Sequence, residues 1–293
     1  MKLVWQSKLV LLLVLPFAAA SVVLEAHWWA ENLPPVAIWA LGLSLLLGLV
    51  AWKAQAATPA AAFAGAVLAA SLMFSTATVP YQPWRTALIP LLAVLLLTSL
   101  ATRLGHAKKQ RLGIAERRNG RSASQVAANL GVAALASSEF TQSWLIQTGW
   151  IRAAAQAPAL LFTVGLSALT EAAADTISSE VGQVIGGQPR MITTLRTAEP
   201  GTDGAISLLG SLAGIAAAGL VAAAGTVALA GSSRMFAISW VSGVFGLFFD
   251  SLLGATLERR GWLNNDAVNF LSTASASACA LILLVVLPRP AVG

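Results

Sequence analysis

Charge is what this chain has least of. Only 10% of its 293 residues are Asp, Glu, Lys or Arg, against about 25% in an ordinary soluble domain. That excludes a disordered chain and argues against a soluble enzyme. One cysteine, Cys279, rules out a disulfide framework and a cysteine metal site. With His27 and His106 alone, a histidine-rich zinc site is out of reach. No Walker A sequence, His-Glu-x-x-His or Cys-x-x-Cys occurs, so any phosphate chemistry is not of the P-loop type. The 18 basic residues outnumber the 12 acidic ones. Only seven of the basic residues cluster, in one short run at 103–121, and no broad basic face exists, which excludes a nucleic-acid partner.

What the chain has is apolar length, with 57% hydrophobic residues. A membrane-spanning helix needs roughly 20 mostly apolar residues. Nine segments approach that: 8–26, 35–52, 60–79, 86–102, 123–139, 152–174, 206–230, 235–256 and 266–287. The expected fold is all-α, a polytopic transmembrane helix bundle of about nine spans. Eight spans plus a re-entrant helix fit nearly as well, because the fifth segment is short and carries Gln125 and Asn129. Lys2 and Lys8 before an apolar run resemble a signal peptide, but the run continues through Leu24 and reads as an uncleaved span. With the N-terminus inside, 14 of the 18 basic residues fall on the cytoplasmic side, as the positive-inside rule requires. The expected location is the plasma (inner) membrane of a bacterium. Three regions follow: a four-span scaffold (1–102), a basic cytoplasmic loop (103–122) and a polar-rich helical half (123–293), read as the catalytic part.

Polar residues of that half fall near the cytoplasmic span ends. Arg121, Gln125 and Asn129 are four apart and share a helix stripe. They read either as helix–helix hydrogen bonding or as a polar wall with Arg121 as an anion anchor. Glu171, Asp175, Ser179 and Gly182 share another face, with Glu180 beside it. An acid near the bilayer centre costs about 2.5–3.5 kcal/mol, so such acids are functional by default. A hydrated Mg²⁺ is the cation expected to hold them. Gln188-Pro-Arg190 and Pro200-Gly201-Thr202-Asp203-Gly204 cannot be membrane helix. Small residues at 201–204 can aim N–H groups at a phosphate, although Asp203 also suits an ordinary helix cap. Asp250 and Glu258 share a face with Gly243, Gly246 and Gly254, where the glycines read as close packing. Asn264 or Asn265 reads as a cap, and Asn269 lies deeper.

In order and spacing, five segments resemble the integral-membrane family catalogued as domain of unknown function 92. They are Arg121–Asn129, Ala174–Gly182, Pro189–Thr194, Pro200–Gly204 and Asp250–Thr256. That family includes the phytyl-phosphate kinase of tocopherol synthesis. The resemblance implies transfer of a phosphoryl group from a nucleoside triphosphate (CTP or ATP) to an isoprenyl or phytyl monophosphate, giving the diphosphate. On that reading Asp175, Glu180, Asp250 and Asp203 hold Mg²⁺. Arg121, Arg190 and the 201–204 amides bind phosphates, and Gln125 and Asn129 line the nucleotide or lipid site. The partners are then a lipid substrate, a nucleotide and membrane lipids. The rival expectation is a transporter or channel for a small polar or anionic solute, which also uses intramembrane acids and Gly-interrupted helices.

Overall fold

Small hydroxyl and amide residues set where the helices begin. A side-chain oxygen at the N-cap satisfies a backbone N–H that the helix itself leaves open. Thr58, Ser122, Ser138, Ser207, Ser232 and Asn264 each accept a bond from the N–H three residues on. The computed structural model describes residues 4–112, 120–149 and 157–287. Lys2, Arg117, Arg118, Arg152 and Arg289 lie outside the described residues, as does the start of the sixth expected span.

The helices are α1 (Val4–Asn32), α2 (Pro34–Lys53), α3 (Pro59–Ser75), α4 (Leu88–Arg103), α5 (His106–Leu112), α6 (Ala123–Ser137), α7 (Glu139–Gln147), α8 (Ala157–Ile185), α9 (Leu208–Ala228), α10 (Ser233–Leu253) and α11 (Asn265–Val286). A π-helical turn, Gly254–Glu258, continues α10. Between α8 and α9 a small antiparallel ribbon pairs β1 (Arg190–Met191) with β2 (Ala205–Ile206).

Five helices among the described residues are long and apolar enough to cross a membrane: α1, α2, α9, α10 with its π turn, and α11. Helices α3 and α4 are apolar but shorter, at 17 and 16 residues. The fifth expected span breaks at Ser138, whose extended backbone ends α6 and whose hydroxyl caps α7. Leucines and isoleucines such as Leu12, Ile38, Leu96 and Ile282 point outward, as a lipid-facing surface requires.

One main core joins Val14 of α1, Leu72 of α3, Leu91 of α4, Val132 of α6, Leu169 of α8 and Val221 of α9. The four-span scaffold and the polar half therefore share one hydrophobic interior across the division at residue 102. Helix α9 packs close to α8 because Gly214 faces it. A methyl group there would sit 2.8 Å from the Ala174 carbonyl. Without a strong hydrophobic force between helices in lipid, such close approach is what holds them. The loops 54–58, 104–105, 186–207 and 259–264 gather at one end of the bundle. Lys108 reaching the Val184 carbonyl and Gln6 reaching the Trp262 carbonyl tie that end together.

Candidate functional site

The site lies at this loop end. Asp175 sits on α8 and Asp250 on α10, and their carboxyls come within hydrogen-bond reach of each other. Both line a cavity of about 200 Å³ with Ser178, the 200–204 turn, Glu258 and Asn265. Each aspartate is half-buried, walled by protein yet reached from the cavity. Asp250 Oδ2 is buried with no hydrogen-bond partner. Glu171, one helical turn deeper than Asp175, is 1% exposed, and its Oε1 is also unpartnered. Ser272 of α11 lies close enough to bond both Glu171 and Asp250. Burying like-charged acids together is costly unless a cation or shared protons hold them.

The turn at 201–204 forms the cavity's rim. Gly201 and Gly204 have φ of +85° and +74°, conformations that side chains resist. Gly204 also lies against the backbone of Ala255 in the π turn, leaving no room for a methyl group. This contact fixes the rim on the helix that carries Asp250. Of the four amides expected to bind phosphate, that of Thr202 is already donated to the Glu199 carbonyl at 3.2 Å. Asp203 does not cap α9; Ser207 does, accepting from the Gly210 N–H at 3.1 Å. Partial desolvation raises the Asp203 carboxyl above its ordinary range, and the Arg259 guanidinium draws it back.

Arg121 approaches from the opposite side. Its N–H donates to the Ala56 carbonyl at 3.1 Å, and its carbonyl accepts from the Thr58 N–H at 3.0 Å. Those bonds pin the start of α6 to the α2–α3 connection. From there the Arg121 charge acts on Asp175. Asn129 accepts a bond from the Asn269 amide at 3.3 Å, joining α6 to α11.

Three expected site residues do other work. Glu180 is ion-paired with Lys109, a lysine 1% exposed, so it does not join the aspartates. Lys109 also donates to the Thr102 carbonyl at 2.7 Å, clamping α4 to α8. Gln125 closes a capping box, its Oε1 accepting from the Ser122 N–H at 2.7 Å. Arg190 is exposed on β1 and reaches the Leu195 carbonyl at 3.4 Å, away from the cavity lining. The basic side chain near the rim is Arg259, which the sequence reading did not select. Ser178 was likewise not selected, whereas Glu171 and Glu258 were already placed on the faces of Asp175 and Asp250. The helical spacing 171–175 and 250–258 held the only signal for the two glutamates.

Among the described residues, no group of three or more His, Cys, Asp and Glu is arranged to hold a metal unaided. A paired aspartate site does match the usual habit of Mg²⁺, which takes one or two carboxylates and completes its shell with water and phosphate oxygens.

Comparison with known proteins fits this architecture. The model of the integral membrane protein DUF92 family matches residues 42–277. The chain is 39% identical over 108 residues to the uncharacterized membrane protein MJ0933 of Methanocaldococcus jannaschii, covering 37% of this chain and 45% of that one. It is 32% identical over 203 residues to the uncharacterized membrane protein sll0875 of Synechocystis, covering 68% and 73%. It is 26% identical over 205 residues to Protein VTE6, chloroplastic, of Arabidopsis thaliana, covering 65% and 56%. The matched region thus spans about half the length of the first and third of these relatives. No solved structure matches. With most of its length matched, including every polar segment of the site, the chain belongs to the integral membrane protein DUF92 family.

Proposed function

We propose that the protein is a Mg²⁺-dependent kinase that moves a phosphoryl group from CTP or ATP to an isoprenyl or phytyl monophosphate, yielding the diphosphate. The observation that carries this reading is the Asp175–Asp250 pair. It is held between a phosphate-sized, glycine-rimmed cavity on one side and the charge of Arg121 on the other. The family resemblance to phytyl-phosphate kinase points the same way.

The buried, unpartnered Asp250 Oδ2 and the all-oxygen donor set fit Mg²⁺. Asp175 and Asp250 would hold it, while Asp203 stands on the cavity rim outside any three-carboxylate group. When bound, the ion neutralises charge on the transferring phosphoryl group. The remaining work belongs to the protein. The glycine turn and the cavity position the nucleotide's phosphates. Arg121 orients the acceptor phosphate towards Asp175. Walls contributed by α8, α10 and the start of α11 limit water at the reacting oxygens. A phosphate monoester is already anionic at neutral pH, so no general base is required. Its oxygen attacks the γ-phosphorus, the β–γ bridging P–O bond breaks, and the nucleoside diphosphate leaves with the electron pair.

On this reading the chain crosses the membrane nine times, α3, α4, α6 and α8 completing the five long spans. The N-terminus and the site face the cytoplasm of a bacterial plasma membrane, where nucleotide is supplied. The transporter alternative draws on Glu171, an unpartnered acid one turn deeper than the site. The tight contact of α10 with α8 at that depth, where a methyl group on Gly243 or Gly246 would sit 2.5 Å from Thr170 Cγ2 or Glu171 Cγ, supports the kinase reading over that route.

The test uses purified protein in detergent with Mg²⁺, labelled ATP or CTP, and a panel of isoprenyl monophosphates. Labelled diphosphate that is absent with Asp175→Asn supports the kinase. Undiminished transfer by a folded Asp175→Asn variant removes the metal assignment.

A further inference from the structure

A second cavity of about 110 Å³ lies among α2, α3, α4 and α6 and touches α8 at Ala172. Its character is opposite to that of the first. Its walls are apolar, and nine of its 18 lining residues are glycine or alanine. Gly65 and Ala62 of α3, Leu95 of α4 and Val126 of α6 shape its middle. Arg121 is the one charged residue among its described lining, with Asn129 beside it. Ala172 closes the slot against α8, and Asp175 is the next residue along the same helix face. The slot therefore runs from hydrocarbon-like walls to a cation, and that cation acts on the reacting aspartate.

We infer that this slot binds the hydrocarbon tail of the acceptor, a single-chain isoprenyl monophosphate, with its phosphate at Arg121. The inference rests on the kinase reading and adds where the tail lies and which residues select it. Three observations favour that occupant. An apolar slot ending in a cation complements an amphiphile with an anionic head. Walls of glycine and alanine leave a slender passage that suits one methyl-branched chain better than the paired chains of a glycerophospholipid. The charged end of the slot also delivers the head group to Asp175, the reacting end. The cavity's size accommodates the isoprene units nearest the phosphate, while the rest of the tail extends among the helices and lipid.

Gly65 is the point at which to narrow the slot. A Cβ there meets only Val126 Cγ1, at an ordinary 3.6 Å. The further carbons of Gly65→Leu enter the slot and displace tail, not protein backbone. This variant should bind geranylgeranyl monophosphate at least roughly tenfold more weakly, because more than one buried methylene is lost. Binding of dimethylallyl monophosphate should change by less than about twofold, since its short tail buries little beyond the narrowed point.

The experiment has two arms, both on the full-length protein. In the first, a diazirine-bearing geranyl monophosphate is photolysed on the wild-type protein and the labelled peptides are sequenced. Label is expected on α3 and α6 around Gly65 and Val126. Excess geranylgeranyl monophosphate should abolish it, and inorganic phosphate or phosphatidic acid should not. Label elsewhere overturns the inference, and equal competition by phosphatidic acid makes the slot a phospholipid site. In the second arm, Gly65→Leu is compared with wild type in binding and in phosphoryl transfer. Transfer that keeps its full preference for long tails in Gly65→Leu refutes the slot and leaves the kinase standing. Competed labelling at the slot with no transfer to any acceptor refutes the kinase and leaves the binding site standing.

Discussion

Replacing Lys109 by methionine separates a structural role for Glu180 from a metal-binding one. Lys109 is 1% exposed, and its ammonium serves three acceptors: Glu180, the Thr102 carbonyl at 2.7 Å and the Ala101 carbonyl at 3.4 Å. Methionine matches the stem but leaves the Glu180 carboxylate facing two carbonyl oxygens. Breaking a buried pair by removing one partner costs about 3–5 kcal/mol. Because the Glu180 side chain is 14% exposed at the bundle end, water recovers part of that, and about 2–3 kcal/mol is expected. The double variant Lys109→Met/Glu180→Met removes both charges. It should regain about half of the loss, since apolar replacement of an ion pair is close to neutral. The assay is equilibrium unfolding in mixed detergent, followed by tryptophan fluorescence, with phosphoryl transfer measured on the same samples. If the single variant loses less than about 1 kcal/mol, the clamp between α4 and α8 is not what the geometry indicates. If the double variant is stable but inactive, Glu180 belongs to the metal site after all.

Other consequences are equally specific. Gly204→Ala should cost at least about 1–3 kcal/mol, because it combines a left-handed backbone with a methyl group against the Ala255 backbone; thermal unfolding reads the loss, and an unchanged midpoint would contradict the packing. Asp203 is raised in the folded state, so the native chain holds this proton more tightly than the unfolded chain. Stability from this group is therefore fullest below its unfolded value and falls as pH rises towards the raised one. Arg259→Met should push that loss to higher pH, seen as an upward-shifted acid limb in stability against pH, and no shift would mean Arg259 does not act on it. Ser122→Ala should destabilise α6 by about 1 kcal/mol through the lost capping box, measurable as faster hydrogen exchange at residues 123–126.

The sequence carried the lipid-facing character and most of the helix ends because those depend on local signals. Asn264 caps α11, accepting from the Ala267 N–H at 2.9 Å, and the glycines at 210, 214, 243 and 246 mark close packing. The aspartates on α8 and α10 were legible as acids placed where lipid makes acids costly. Their partner arrangement was not. A helical period tells which residues share a face, not which face of another helix it meets. Glu180, next to the Asp175 stripe, finds Lys109 from a basic run in which the lysines and arginines look equivalent. The π turn at Gly254–Glu258 interrupts the regular period, yet Glu258 still lines the cavity with Asp250, on the face that counting residues gives it. Gln125 carried the signal of its true role all along, since Ser122-x-x-Gln125 is a capping-box sequence.

Phosphorus NMR of the reaction mixture tests the central claim most directly. Protein, Mg²⁺, nucleoside triphosphate and geranylgeranyl monophosphate are incubated, and wild type is compared with a folded Asp250→Asn variant. The account predicts that the monophosphate resonance gives way to an isoprenyl diphosphate pair while nucleoside diphosphate accumulates in equal amount, with the variant inert. Unchanged acceptor and nucleotide with every isoprenyl monophosphate and both nucleotides, from folded wild-type protein, would contradict it.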